Sequence, residues 1–298
     1  MSSSYRIGVD GGGTKTELIL IDEHGEIVAR HTSSGCNPSV SGPARARTVL
    51  TDALHALRSQ APSANAPIKA ILLCMAGSPA FWQATASSLA GYGKIETATD
   101  ALPVLELATG GRPGLVLHAG TGSFVALHAP DGSIHYAGGL GWRIGDPGSA
   151  QDIGRRAMAH ALAGLQNWAA PSALGTALAE MFGTAIPGAI TATLHRDKEP
   201  NLRIGSFAAC AAKLAQEGDS VAREIILSST GELLACAEAA SKRLFGIQNL
   251  NTLIAGLSGP ILTQPFVVDA LQAHTTLPLK PLTEPPIEGV RRLLLRVC

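Results

Sequence analysis

Apolar and polar positions alternate through Tyr5, Ile7 and Val9, break at Asp10 and three glycines, and resume from Leu18 to Ile21 before a turn at Asp22 to Gly25. A period of two on both sides of a glycine bend predicts a β-hairpin. Ile27 to Thr32 reads as a third strand, followed by a polar loop from Ser33 to Pro38. From Pro43 the spacing of Ala46, Val49, Leu50, Ala53 and Leu57 predicts a helix with one apolar face. Ile68 to Met75 is a continuous apolar run, as in a strand buried on both faces, and a helix pattern follows through Leu89. Lys94 to Thr99 predicts another strand, with Asp100 at its end and Pro103 in the first turn of the next helix.

The opening pattern then returns. Leu115 to His118 leads into a glycine bend, Phe124 to Leu127 follows, and a turn at Asp131 and Gly132 precedes Ile134. One constant offset matches Val9 with Val116, Gly13 with Gly120, Thr14 with Thr121, Leu20 with Leu127, Gly25 with Gly132 and Ile27 with Ile134, which suggests duplicated halves. Gly138 to Gly148 is too glycine-rich for a strand interior, and Ser149 is the expected N-cap of a helix carrying Ile153, Ala157 and Ala161. Residues 161–190 read as Ala-rich helix and Leu194 to Asn201 as a polar loop. Ala208 to Leu214 and Val221 to Phe245 carry helix patterns, the second with a kink expected at Gly231. Thr252 to Ala255 predicts a short strand with Gly256 to Pro260 as the turn after it. Leu277 to Leu282 reads as an edge strand and Ile287 to Val297 as a final helix.

Composition narrows the partners. At 298 residues the chain suits two domains. Charged residues make up 15% and the formal net charge is zero, so no electrostatic case exists for nucleic acid or an anionic membrane. A small-molecule partner is expected. Cys36, Cys74, Cys210, Cys236 and Cys298 are odd in number and never form a C-x-x-C pair, which argues against a disulfide framework or a zinc site. No apolar run reaches the about 20 residues of a membrane span, and Met1 to Arg6 lacks a signal-peptide core, so a cytoplasmic location is expected.

The chemistry concentrates in the bends. Gly11, Gly12 and Gly13 are expected to take positive φ values and bring backbone N–H groups against an anion. A Walker loop needs Gly-Lys-Thr in succession before a helix, but Thr14 separates Gly13 from Lys15 and a strand follows. A Rossmann fingerprint fails because Asp10 stands where its second glycine would be. A ligand-free glycine turn is the competing reading, and three adjacent glycines beside Asp10, Thr14 and Thr16 disfavour it. The second bend, Gly120, Thr121, Gly122 and Ser123, could face the first across a cleft, each holding part of a polyphosphate. Asp100, at the carboxyl end of a predicted strand, is where a catalytic carboxylate would stand, with an N-cap as its plain alternative. Asn37 reads as a turn former and Asp146 as a helix-start acid when each is taken alone.

Together DGGGTKT at Asp10–Thr16, HAGTGSF at His118–Phe124 and GGLGWRIGDPGSA at Gly138–Ala150 resemble the BadF/BadG-type ATPase and N-acetylglucosamine kinase group. That group includes bacterial glucosamine kinases and falls within the sugar kinase, actin and heat-shock ATPase superfamily. The resemblance implies an α/β protein of two ribonuclease-H-like domains, residues 1–117 and 118–298, each a mixed sheet flanked by helices. A helix at 285–298 would return to the first domain, and an interdomain cleft would hold ATP, Mg²⁺ and an amino sugar. It implies that Asp10 orients hydrated magnesium and that Gly11, Gly12, Gly13, Thr14, Lys15 and Thr16 form a first phosphate loop. Gly120, Thr121, Gly122 and Ser123 would form a second, with Thr121 and Gly122 also near the sugar. Gly256 and Ser258 match the adenosine-side turn, although Leu257 interrupts the usual paired glycines. Asn37 and Asp146 match sugar-hydroxyl ligands and Asp100 the general base. Pro147 stands where relatives often carry Glu or Gln. The implied activity is phosphorylation of the 6-hydroxyl of N-acetylglucosamine or glucosamine, and a homodimer is expected. The alternatives are an ATPase that activates a partner dehydratase, disfavoured by the scattered cysteines, and a nucleotide-switched binding module.

Overall fold

The computed structural model describes residues 4–63 and 66–296. Val297, predicted to end the last helix, and Cys298 lie outside the described residues, as do the first three residues of the Met1 to Arg6 stretch.

The first sheet starts with β1 (Tyr5–Gly11), which runs through the glycine bend into antiparallel β2 (Lys15–Ile21) and on to antiparallel β3 (Ile27–Ser34). A short helix α1 (Pro38–Ser41) leads to α2 (Pro43–Ser59), which begins at a proline suited to a first helical turn and buries Ala46, Leu50, Ala53, Leu54 and Leu57. Strand β4 (Ile68–Met75) lies parallel to β1 with all but Lys69 buried. It is followed by α3 (Pro79–Ser88), β5 (Lys94–Thr99) parallel to β4, and α4 (Ala101–Thr109). The sheet order is β3-β2-β1-β4-β5.

The second sheet repeats this plan. Strands β6 (Gly114–Ala119), β7 (Ser123–His128) and β8 (Ile134–Gly138) form an antiparallel meander. Five helices follow: α5 (Ala150–Leu165), α6 (Ala173–Phe182), α7 (Pro187–Arg196), α8 (Pro200–Gln216) and α9 (Ser220–Phe245). Then β9 (Ile254–Ser258) pairs parallel with β6, and α10 (Pro265–Ala273) connects it to the edge strand β10 (Leu279–Pro281). The order β10-β9-β6-β7-β8 is the first sheet's order written from its other end, with β6 taking the place of β1. Helix α11 (Pro286–Arg296) closes the described chain.

Two compact units result. One runs to Gly111 and takes in the stretch from Thr283 on; the other is Arg112–Leu282. In the first, α2 covers one face of the sheet and α11 seals the other, where Ile287, Val290 and Leu294 pack on Ile19, Ile21, Leu72 and Cys74. Arg296 holds the buried carboxylate of Glu106 on α4 with Nη1 2.8 Å from Oε2 and Nη2 2.6 Å from Oε1. In the second unit, β6, β7 and β9 pack against α5, α8 and α9 through residues such as Leu117, Ile153, Phe207 and Leu233. No single helix among the described residues is long and apolar enough to cross a membrane.

Two sequence expectations change. The polar loop expected at Leu194 to Asn201 shrinks to the break between α7 and α8, because His195 and Arg196 suit the carbonyl-rich end of α7 and Pro200 opens α8. Gly256, Leu257 and Ser258 belong to β9 itself, since Gly256 and Leu257 pair with Val116 and Leu117 on one side and with Lys280 and Pro281 on the other.

Candidate functional site

In the first unit the parallel strands bring two carboxylates to one end of the sheet. Asp10 pairs with Cys74 near the end of β1, and Thr99, the last residue of β5, pairs with Met75 at the end of β4, so that Asp100 emerges beside them. Burial, then the charge of Asp100 and of Glu17, pushes Asp10 up to about 7, with Lys15 opposing. Burial likewise pushes Asp100 up to about 6, offset by the amides of Asp100 and Ala101. Asp100 stands at the N-cap position of α4, yet its carboxylate makes no N-cap hydrogen bond, and the one helix amide that acts on it is that of Ala101, the first residue of α4. The plain N-cap reading therefore does not account for it.

The first bend is built by close approach. None of Gly11, Gly12 and Gly13 takes a left-handed φ, contrary to the sequence expectation. A Cβ on Gly11 would come within 2.5 Å of the Met75 methyl and 2.9 Å of Cys36 Sγ, and one on Gly35 would lie 2.1 Å from the Gly13 carbonyl oxygen. The bend closes as Gly12 N–H donates to the Lys15 carbonyl (2.9 Å), while Cys36 N–H donates to the Gly12 carbonyl (3.1 Å). At its tip the amides of Gly13 and Thr14 meet no acceptor among the described residues. Thr14 and Lys15 are exposed, and Lys15 pairs with Glu17 at 2.7 Å. Thr16, expected in the phosphate loop, instead turns inward: it is fully buried and its hydroxyl donates to the Ser34 carbonyl at 2.8 Å. It props the bend from below.

Asn37 does form a turn, since its Oδ1 accepts from Ser39 N–H at 2.9 Å and caps α1. That leaves its amide NH₂ without a partner among the described residues, on a half-buried side chain.

In the second unit the bend between β6 and β7 closes as Gly120 N–H donates to the Gly122 carbonyl (2.9 Å) and the Gly120 carbonyl accepts from Ala150 N–H (2.9 Å) at the start of α5. The amides of Thr121 and Gly122 meet no acceptor among the described residues. Ser123 is buried and its hydroxyl donates to the Pro147 carbonyl at 2.7 Å, so it ties the bend to the Asp146 loop. Asp146 Oδ1 accepts from Gly141 N–H at 3.0 Å, and its Oδ2 would lie 2.9 Å from a Cβ placed on Gly122. Burial raises the Asp146 carboxyl, with amides of Gly141, Ser123 and Leu140 opposing. Ser149 caps α5 by accepting from Asp152 N–H. Gly256 lies mid-strand and buried, away from any turn; the chain turns at Gly259, where a φ of +99° and a Cβ that would lie 2.0 Å from the Ala119 carbonyl oxygen exclude a side chain. Ser258 is buried at the end of β9 against His118.

Unpartnered amides at both bends suit phosphate oxygens. Among the described residues no group of three or more His, Cys, Asp or Glu gathers to hold a metal. A magnesium ion near Asp10 would draw most of its ligands from phosphate and water, as that ion ordinarily does. Taken singly, each bend offers donors that fit the phosphates of Mg-ATP.

Residues 7–272 match the BadF/BadG/BcrA/BcrD ATPase family. The chain belongs to that family. A Chromobacterium violaceum structure assigned as an N-acetylglucosamine kinase superposes with a TM-score of 0.78 at 26% identity, covering 99% of this chain and 100% of that one. A Porphyromonas gingivalis structure with the same assignment gives a TM-score of 0.77 at 21% identity, covering 98% and 99%, and shares the fold. So does a ROK family glucokinase from Streptomyces griseus solved with glucose and AMPPNP, with a TM-score of 0.59 at 15% identity over 98% of this chain and 99% of that one. A stretch of 54 residues is 39% identical to the N-acetyl-D-glucosamine kinase of Dictyostelium discoideum, and it spans 18% of this chain and 17% of that protein.

For a BadF/BadG-type ATPase the sequence reading missed two residues of the second unit. Ser229, buried on α9, accepts from Gly148 N–H and donates to Asp152 Oδ2, both at 2.7 Å, which pins the loop carrying Asp146. His118 sits within the HAGTGSF stretch beside the bend itself. The sequence signal for His118 is its place two residues before Gly120.

Proposed function

We propose that this chain is an ATP-dependent hexosamine kinase that transfers the γ-phosphoryl group of ATP to the 6-hydroxyl of N-acetylglucosamine or glucosamine. Membership of the ATPase family and the likeness to proteins assigned as N-acetylglucosamine kinases support the reaction class. The observation that carries the reading is Asp100: a carboxylate at the end of a parallel strand, engaged by no helix cap and with its pKa raised to about 6. A base held that close to neutrality is ionised at working pH and still able to take a proton.

In this mechanism Asp100 accepts a hydrogen bond from the sugar 6-hydroxyl. As that oxygen bonds to the γ-phosphorus and the bond to the bridging oxygen of ADP breaks, the hydroxyl proton passes to Asp100. Amides of Gly13, Thr14, Thr121 and Gly122 donate to phosphate oxygens. Magnesium, when bound, offsets the phosphate charge, and Asp10 would hold it through water. The free NH₂ of Asn37 and the carboxylate of Asp146 take the ring hydroxyls. Pro147 offers the amino substituent no polar side chain, so both hexosamines remain in the substrate class.

Coupled ADP release measured with glucosamine, N-acetylglucosamine, N-acetylmannosamine, glucose and no sugar tests the proposal. Release that requires one of the first two sugars is the expected result. Equal turnover without sugar would replace the kinase with a nucleotide-switched module or a partner-activating ATPase.

A further inference from the structure

Among the described residues His118 is the one imidazole beside a phosphate bend, and the proposed transfer leaves it without a role. It ends the apolar run of β6, in register with Ser258 on β9, and its Nδ1 lies 3.1 Å from Ser258 Oγ. The ring stacks on Phe124 with centroids 4.9 Å apart and planes 21° from parallel, so it is held on two sides. Its other nitrogen points at the bend: a Cβ on Gly120 would come within 3.1 Å of Nε2. Glycine at 120 is what leaves that nitrogen uncovered. Nε2 has no partner among the described residues, and the side chain remains half-buried. Burial holds the ring well below its usual pKa, at about 4, so it carries a single N–H at neutral pH.

We propose that His118 is a nucleotide-binding residue, with Nδ1 accepting from the Ser258 hydroxyl and Nε2–H donating to a phosphate oxygen held at the Gly120–Ser123 bend. A serine hydroxyl can donate or accept; in the proposed arrangement Ser258 Oγ–H donates to Nδ1, which places the ring's own proton on Nε2, on the side that faces the bend amides. An uncharged donor there adds a hydrogen bond without competing with magnesium for the phosphate charge. The inference rests on the ATP reading of the second bend.

Two variants of the full chain separate this role from packing. The side-chain amide of His118→Gln reaches about as far as Nε2, whereas that of His118→Asn stops near Nδ1. Calorimetric titration with ADP, which needs no turnover, should show His118→Asn weakened by about tenfold or more, the usual loss for a hydrogen bond to a charged group. His118→Gln should stay within about threefold of the parent, and both should keep the parent's melting temperature within a few degrees. In steady state, His118→Asn should raise KM for ATP with kcat little changed. Equal affinity in both variants, whether both match the parent or both fall together, overturns the donor assignment. A parent protein that binds no ADP overturns the nucleotide reading itself, a result distinct from either.

Discussion

Asp10 and Asp100 have raised pKa values, about 7 and about 6, because burial and, for Asp10, its neighbour's charge oppose ionisation. Both must be ionised to act, one toward hydrated magnesium and the other toward the hydroxyl. In the free enzyme kcat/KM should therefore fall about tenfold per pH unit below about 7 and more steeply below about 6, a limb that a pH–rate profile resolves. Asp100→Asn should lower kcat by ~10²–10⁴ and leave ADP affinity nearly unchanged. Near-parental turnover in that variant would remove Asp100 as the base. The same shifts carry a stability cost whose sign is opposite to that of a paired carboxylate. An Asp raised in the folded state is protonated there after the unfolded chain has ionised, so stability falls as pH rises from about 4 to about 7 and stays lower above that. Asp10→Asn should consequently raise the melting temperature at pH 8 without magnesium or nucleotide, and the gain should vanish near pH 4. A variant no more stable than the parent at pH 8 would show that the folded chain does not penalise this charge.

At the scale of elements, the loop carrying Asp146 is held by α9 through one hydroxyl. Ser229 links Gly148 N–H to Asp152 Oδ2, and Arg156 Nε, 2.7 Å from the same oxygen, braces it from α5. Ser229→Ala leaves a buried amide without its acceptor, at a cost of about 1–3 kcal/mol. It should raise KM for the sugar more than KM for ATP; equal rises would mean the hydroxyl only stabilises the fold. Such a contact was not legible in the chain, because Ser229 lies 81 positions from Gly148 and nothing local announces the pairing. What local pattern can express was legible: Ile68–Met75 and Lys94–Thr99 form strands with the limits the apolar runs predict. The hairpins and both bends also follow from their periodicity. Gly256 misled because glycine and serine read as a turn, whereas Gly256 has strand partners on both sides and Ser258 pairs with His118 on one. Thr16 and Ser123 misled differently: whether a hydroxyl faces a ligand or the protein depends on register with β3 and on the Pro147 carbonyl, which spacing alone does not encode.

At the scale of the whole molecule, the two units share a sheet plan but are completed differently. The second is one continuous stretch, Arg112–Leu282, and its core is built wholly from its own residues. The first takes its last helix from the end of the chain, and Ile287, Val290 and Leu294 on α11 are almost fully buried against Ile19, Ile21, Leu72 and Cys74. At about 1.5–3 kcal/mol per fully buried aliphatic side chain, those three alone contribute roughly 5–9 kcal/mol, comparable to the net stability of a whole domain. Ending the chain at Leu282 also removes Arg296 from the buried carboxylate of Glu106. The two halves should then respond unequally. A fragment of Arg112–Leu282 should fold alone and melt cooperatively by circular dichroism, while a chain stopped at Leu282 should retain only that transition and lose the ellipticity of the first unit. If the stopped chain kept its full ellipticity and both transitions, α11 would be a surface addition and not the lid on the first unit's core.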